Sequence, residues 1–341
     1  MKVGLFFDLR NPHRWRRDPV RLHSFTLELI EEAESLGVDS VWASEHHLFA
    51  DDYLTAPLTF LAAAAARTSR VRLGTAILIG PLHHAAEIVE QSVLVDLISG
   101  GRLDLGIGAG YRIPEYELFG ADPEKRYGQT DEKARQVRRL LSPGGVSPAP
   151  VQERLPIYLG YQGPQGARRA GLLGEGLLTS DARSWAPYRE GLLAAGHDPA
   201  LGRMAGSINA WVTDDPERDW RVVRTHLAYQ LDSYNEHSVR GTDRPNPGPV
   251  DPDRIRRNTA KRLNYFWCET PEVVAANVKA FVADAPVDTV FMFAALPGMP
   301  EEMAVRHVRT VCTKLVPLLA DHHPEHGAPA VAVPSAKVSA P

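Results

Sequence analysis

Two hydrophobic periods alternate along this chain. Short, nearly continuous apolar runs, the pattern of strands buried on both faces, give way to segments whose apolar residues recur every three to four positions. The runs fall at 2–8, 39–44, 71–78, 103–108, 156–160, 176–179, 206–213 and 288–294. Helical patterns lie near 21–36, 57–67, 84–98, 130–141, 164–173, 184–195, 216–236 and 301–319, with one more near 271–284. About eight strand–helix units predict parallel strands, and that number favours a closed α/β architecture, the (β/α)8 TIM barrel, over an open doubly wound sheet.

Boundary residues agree with these elements. Gly37 follows Leu36 as a helix stop, and Thr270-Pro271-Glu272 reads as a cap with proline at the first helical position. Segment 142–155 is too rich in proline and glycine for an element interior and should be an exposed connection. Segment 238–265 is a longer insertion late in the barrel; its stretch from Gly241 to Pro249 cannot be helical, and excursions of this length are candidate lids. From 321 to 341 periodicity ends in Ala, Pro, Val and Ser, which predicts a disordered tail after a single barrel spanning 1–320.

Composition narrows the function classes. Of 341 residues, 44% are apolar and 23% charged, without an uninterrupted apolar run of membrane-spanning length, so a soluble protein and no membrane partner are expected. A net charge of −4 argues against general nucleic-acid binding, which needs a basic excess. Cys268 and Cys312 have neither disulfide-framework nor zinc-ribbon spacing, and the start at Lys2–Phe7 lacks a signal peptide's pattern; a cytoplasmic location is expected.

Candidate chemistry concentrates where strands end. Glu45-His46-His47 closes the second apolar run, at the position where barrel enzymes place functional side chains. Adjacent strand residues point to opposite sides and no His-Glu-x-x-His spacing occurs, so no metal site is expected; one imidazole can act as a general acid or base, or simply pack. Gly106, Gly108 and Gly110 alternate at the end of the fourth run, leaving room for a flat ring or a phosphate, or for tight packing; as a dinucleotide fingerprint the spacing fits only loosely. Gly160-Tyr161-Gln162-Gly163 is a glycine-containing turn at a helix start, either a ready anion site or a plain turn. Small residues at Gly74-Thr75-Ala76 suit a shelf under a planar cofactor or a buried strand, and His83-His84 precede a helix.

Taken together, the stretches from Trp42 to His47, Arg72 to Ala76, Pro81 to His84, Asp96 to Arg102, Gly106 to Tyr111 and Glu115 to Gly120 resemble the bacterial luciferase-like family of flavin-dependent monooxygenases, in that family's order. The likeness covers residues 1–180 best. It implies a (β/α)8 barrel holding reduced FMN at the carboxyl ends of its strands. It makes His46 the active-site histidine, with Glu45 and His47 beside it, and Ala76-Ile77 a non-proline cis peptide beneath the flavin. Gly108 and Tyr111 would line the ring and ribityl region together with Phe7, while Arg126, Gln162 and Gly163 would hold the phosphate. The implied reaction oxygenates a small organic substrate with O2 through a flavin 4a-hydroperoxide. With no NAD(P)H fingerprint, a separate flavin reductase is the expected partner, and the resemblance also implies a homodimer. Two alternatives stay open: a deazaflavin-dependent hydride-transfer oxidoreductase on the same fold, and an inert flavin-binding barrel. Phe7, Arg10, Trp15, Trp211, Tyr229, Tyr265 and Trp267 offer aromatic and cationic walls for the substrate.

Overall fold

A computed structural model describes residues 1–258 and 265–322. Its strands are β1 (Lys2–Phe7), β2 (Ser40–Ala43), β3 (Arg72–Thr75), β4 (Leu78–Ile79), β5 (Leu103–Gly108), β6 (Ile157–Leu159), β7 (Gly176–Leu178), β8 (Met204–Ser207), β9 (Ala210–Val212), β10 (Trp267–Glu269) and β11 (Val287–Phe293). Every pairing is parallel. β1 lies between β2 and β11, and the chain of partners runs from β2 through β3, β5, β6, β7 and β8 back to β11. The β3–β5 pairing, Leu73 opposite Leu103, closes the eight-stranded barrel that the strand–helix alternation predicted.

Two predicted strands are each divided. The run at 71–78 breaks into β3 and β4 around a cis peptide between Ala76 and Ile77, the bond the family resemblance implied, and β4 continues along β5 with Leu78 opposite Ile107. The run at 206–213 divides into β8, which stays in the barrel, and β9, which leaves it to pair with β10, a strand the hydrophobic pattern did not mark.

The helices are α1 (Pro19–Ser35), α2 (Pro57–Arg67), α3 (Ala85–Ser99), α4 (Ile113–Phe119), α5 (Arg126–Leu140), α6 (Gly163–Leu173), α7 (Trp185–Ala194), α8 (Pro216–Val239), α9 (Pro252–Arg257), α10 (Pro271–Val282), α11 (Glu301–Thr310) and α12 (Val316–Ala320). The short α4 and α9 were not predicted; one wide π turn at Val311–Leu315 joins α11 to α12 within the predicted helix 301–319. Local chemistry explains the ends. Asp18 accepts hydrogen bonds from the amides of Val20 and Arg21 to start α1, and Gly37, at φ +94°, lets the chain turn after it. Of the proposed lid 238–265, residues 240–251 form no helix, α9 packs back on α8 through Trp220 and Arg224 to Asp253, and 259–264 lie outside the described residues. The predicted tail lies outside them from residue 323 onward. No helix among the described residues is long and apolar enough to cross a membrane.

Two apolar layers result from the alternation of side chains along each strand. Val3, Leu5 and Phe7 face the helices, with Ile30, Leu61 and Val89 in the outer core. Phe6, Trp42, Tyr158, Ala205 and Phe291 fill the barrel interior, where Trp42 stacks on Phe291 at 4.7 Å between ring centroids. Gly74 makes room for that plug: a β-carbon there would sit 2.2 Å from the Trp42 ring.

Candidate active site

Above the plug, β2 runs out into Ser44-Glu45-His46-His47, and a buried carboxylate holds each side of the turn. Glu45 faces the third strand. Its Oε1 accepts from Nε2 of His47 at 2.8 Å and Nε2 of His83 at 2.6 Å, and its Oε2 accepts from the Ile79 amide at 2.6 Å. Burial alone would raise its pKa, but the bonds from the two histidines and that amide outweigh it and hold the carboxyl below its usual value. His83 moves the other way: burial works against its charge, and the Glu45 carboxylate more than offsets this, so its pKa rises.

Glu115, on α4, faces the other side. A single oxygen, Oε1, accepts from His46 Nδ1 at 2.9 Å, the His47 amide at 2.8 Å and Arg112 Nη1 at 3.0 Å. Arg112 also bonds the carbonyls of His47 and His237, tying α4 to the turn and to α8. Burial opposes ionisation of Glu115, yet His46 and these other donors lower its pKa. An ionised carboxylate only accepts, so the proton of the His46–Glu115 bond belongs to Nδ1. The remaining nitrogen of His46, Nε2, is left as the open one. The His46 ring sits among those of Phe49, Tyr53, Tyr111 and Tyr234, with centroid-to-centroid distances of 4.8, 4.8, 5.4 and 6.3 Å.

The predicted site residues are not all gathered at this point. His46 and Tyr111 face one another on the rim. Glu45 and His47 stand behind His46, occupied with each other and with His83. Gly108 adjoins Ile77, but for a reason other than the expected one: a β-carbon on Gly108 would meet the Ile77 side chain at 2.8 Å, so the space its missing side chain leaves is taken by Ile77. Phe7, expected beside a cofactor, packs in the layer between barrel and helices, and Phe6 takes the inward place.

Gln162 and Gly163 form the start of α6. No side chain caps that helix, residues 162–165 are exposed, and the space beside Gly163 (φ +69°) is open. Arg126, at the start of α5, carries a buried Nε without a partner. Its guanidinium lies over Tyr127, whose ring meets Tyr161 just before α6. Unbonded helix amides and an unpaired guanidinium nitrogen suit a phosphate, so these residues fit a phosphorylated flavin. Glu115, Arg112, Phe49, Tyr53 and Tyr234 are contributors that sequence reasoning did not single out as site residues. Glu115 is 69 positions from His46, and only the Glu115–Gly120 stretch of the family resemblance touched it.

The molecule is thus a parallel barrel with a carboxylate-held histidine at the carboxyl end of its second strand and an uncapped helix start at a later one. The family model for luciferase-like monooxygenases matches residues 1–289, and the chain belongs to that family. Its curated relatives include 4-hydroxyprotoasukamycin monooxygenase of Streptomyces nodosus subsp. asukaensis, 36% identical over 116 residues, 34% of this chain and 31% of that one. F420-dependent glucose-6-phosphate dehydrogenase of Kineococcus radiotolerans is 27% identical over 333 residues, 88% of this chain and 93% of that one. Among solved structures, monooxygenase RslO1 from Streptomyces bottropensis superposes with a TM-score of 0.75 at 24% identity, covering 93% of this chain and 99% of that one. The oxygenating constituent of 3,6-diketocamphane monooxygenase from Pseudomonas putida, in complex with FMN, gives 0.70 at 18%, covering 93% and 98%. At those identities the structural likenesses establish the fold.

Proposed function

We propose that this protein is a monooxygenase that uses reduced FMN and O2 to oxygenate a small organic substrate, with the reduced flavin delivered by a separate reductase. The observation that carries the reading is His46: Nδ1 fixed on Glu115 and Nε2 open in an aromatic recess, next in the chain to Glu45, whose amide donates to the Ile77 carbonyl. Gln162, Gly163 and Arg126 would hold the phosphate and Tyr111 would lie along the ring system. Bound there, reduced FMN supplies the electrons that activate O2 for transfer of one oxygen atom. His46 is the one residue assigned to catalysis, holding or releasing a proton at Nε2. Glu115 fixes its tautomer, and Glu45 and His47 position the turn. Phe49, Tyr53 and Tyr234 keep water from the recess.

Anaerobic titration with reduced FMN and with reduced F420, followed by turnover under 18O2, tests the reading. The expected result is FMN binding at least about tenfold tighter than F420, with label from O2 in the product. Preferential F420 binding and hydride transfer without oxygen uptake would replace it with the second reading, which the 88% coverage by the F420-dependent dehydrogenase supports. Flavin binding without either reaction would indicate an inert barrel.

The homodimer is assigned to α2 and α3. Leu94, Leu97 and Ile98 form an exposed apolar stripe one turn apart on α3, beside the exposed Ala63 and Ala66 of α2. Leu94→Lys with Ile98→Lys should yield monomers in sedimentation; an unchanged mass would move the interface elsewhere.

A further inference from the structure

One group of buried polar side chains on the rim has no part in holding His46. Asp8, Arg10 and Asp51 meet just beyond the carboxyl end of β1, each at most 5% exposed. Arg10 directs Nε and Nη2 to Asp51 Oδ2 at 2.8 and 2.7 Å, and Tyr229 donates to the same oxygen at 3.0 Å. Asp8 lies within reach of the Arg10 charge. Arg10 Nη1, Asp8 Oδ2 and Asp51 Oδ1 still have no partner, and Arg10 Nη2, although in ion-pair contact with Asp51, makes no hydrogen bond. Leaving such atoms unsatisfied costs about 1–3 kcal/mol each, so two donor nitrogens and two acceptor oxygens remain to be completed by another molecule.

Their position indicates which molecule. Phe49, Tyr53 and Tyr234 lie 5.5, 5.5 and 4.9 Å from the Arg10 guanidinium carbon, and the same three rings surround His46. Arg10 and the open nitrogen of His46 therefore share one aromatic wall. The charge is also informative: Asp51 already neutralises Arg10, and Asp8 adds a second carboxylate. An incoming anion would meet this excess in a dry site at a heavy cost. A carbonyl accepting from Nη1, or a hydroxyl that also donates to a carboxylate oxygen, would satisfy the bare atoms without adding charge.

We propose that Asp8, Arg10 and Asp51 form a substrate subsite for a neutral, oxygen-bearing group, a ketone or hydroxyl on a flat carbon skeleton, and that the subsite turns carboxylates away. This rests on the oxygenase reading of the same rim. Calorimetric titration of the full chain with acetophenone, benzoate and ethylbenzene, three single-ring probes differing in the polar group, tests it. Acetophenone should bind at least about tenfold tighter than either other probe, and Arg10→Met should reduce it to the level of ethylbenzene. Should Arg10→Met not fold, because it strands two buried carboxylates, Asp8→Asn carries the test with almost no change of shape. It should improve benzoate about tenfold and change acetophenone less than about threefold. Absent acetophenone binding, benzoate binding as tightly as acetophenone, or an Asp8→Asn ratio equal to the wild type would overturn the proposal and leave ordered water as the partner of these atoms. Reduced FMN titrated into the same samples separates the two readings. Failure of FMN with the probe order intact removes the oxygenase reading alone, whereas FMN binding with the order lost removes the subsite alone.

Discussion

The rim holds two clusters of buried carboxylates built on opposite plans. Glu45 and Glu115 each accept from three donors, drawn from three histidine rings, an arginine and two backbone amides, and only Glu115 Oε2 and Arg112 Nη2 are left bare there. Around Asp8 and Asp51 a single guanidinium serves both acids, and polar atoms of all three side chains stay bare. The ionised form is favoured for Glu45 and Glu115 and disfavoured for Asp8, whose carboxyl burial pushes up to about 6 against the pull of Arg10. One cluster contributes stability and aims the nitrogen proposed for catalysis. The other gives up stability, as groups kept for binding commonly do.

The largest expected effect lies where the first cluster meets chemistry. His46→Ala should lower formation of oxygenated product by about 10²–10⁴-fold, while reduced FMN binds within about threefold of the wild type; coupled turnover at the wild-type rate would sink the assignment. Next comes the support beneath it. Glu115→Gln leaves Arg112 without its anion and should cost about 3 kcal/mol at pH 7 in denaturant unfolding. Because the folded pKa of Glu115 is lowered, its contribution is complete above the ordinary value of 4.5 and fades as pH falls through the folded value, so the deficit should shrink on acidification.

Asp8→Asn should do the reverse. With a folded pKa of about 6 against an ordinary 3.8, ionised Asp8 weakens the fold increasingly as pH climbs between those values. The variant should therefore gain about 2–3 kcal/mol at pH 7 and nothing near pH 4. Loss of stability at pH 7 would make the two clusters alike and end the comparison. Smallest is Tyr229→Phe, which takes one hydroxyl from Asp51 and should change stability by about 1 kcal/mol, seen as a shift in the denaturation midpoint; a far larger loss would show that the second cluster is also structural.

The barrel was legible because each of its strands is an apolar run set off by turn residues, and the His46 turn because it ends such a run. Doubly buried strands hide which face is which. In Leu5-Phe6-Phe7 both sides are apolar, so the pattern could not tell that Phe6 and not Phe7 looks inward. The division of 206–213 was hidden for a similar reason: Ile208 continues the apolar run through the point where the chain leaves the barrel. Asp8, Arg10 and Asp51 become a cluster only when the loop after β2 folds back over the end of β1, with the Leu54 amide on the Asp8 carbonyl and the Asn11 amide on the Asp51 carbonyl. A one-dimensional pattern holds no record of that return, and it flagged Arg10 only as a wall.

Trp42, stacked on Phe291 beneath the rim, stoppers the cylinder from below. On the oxygenase reading, cofactor, oxygen and substrate would all come and go by the upper mouth, where the larger guest to enter second would stand in the way of the first.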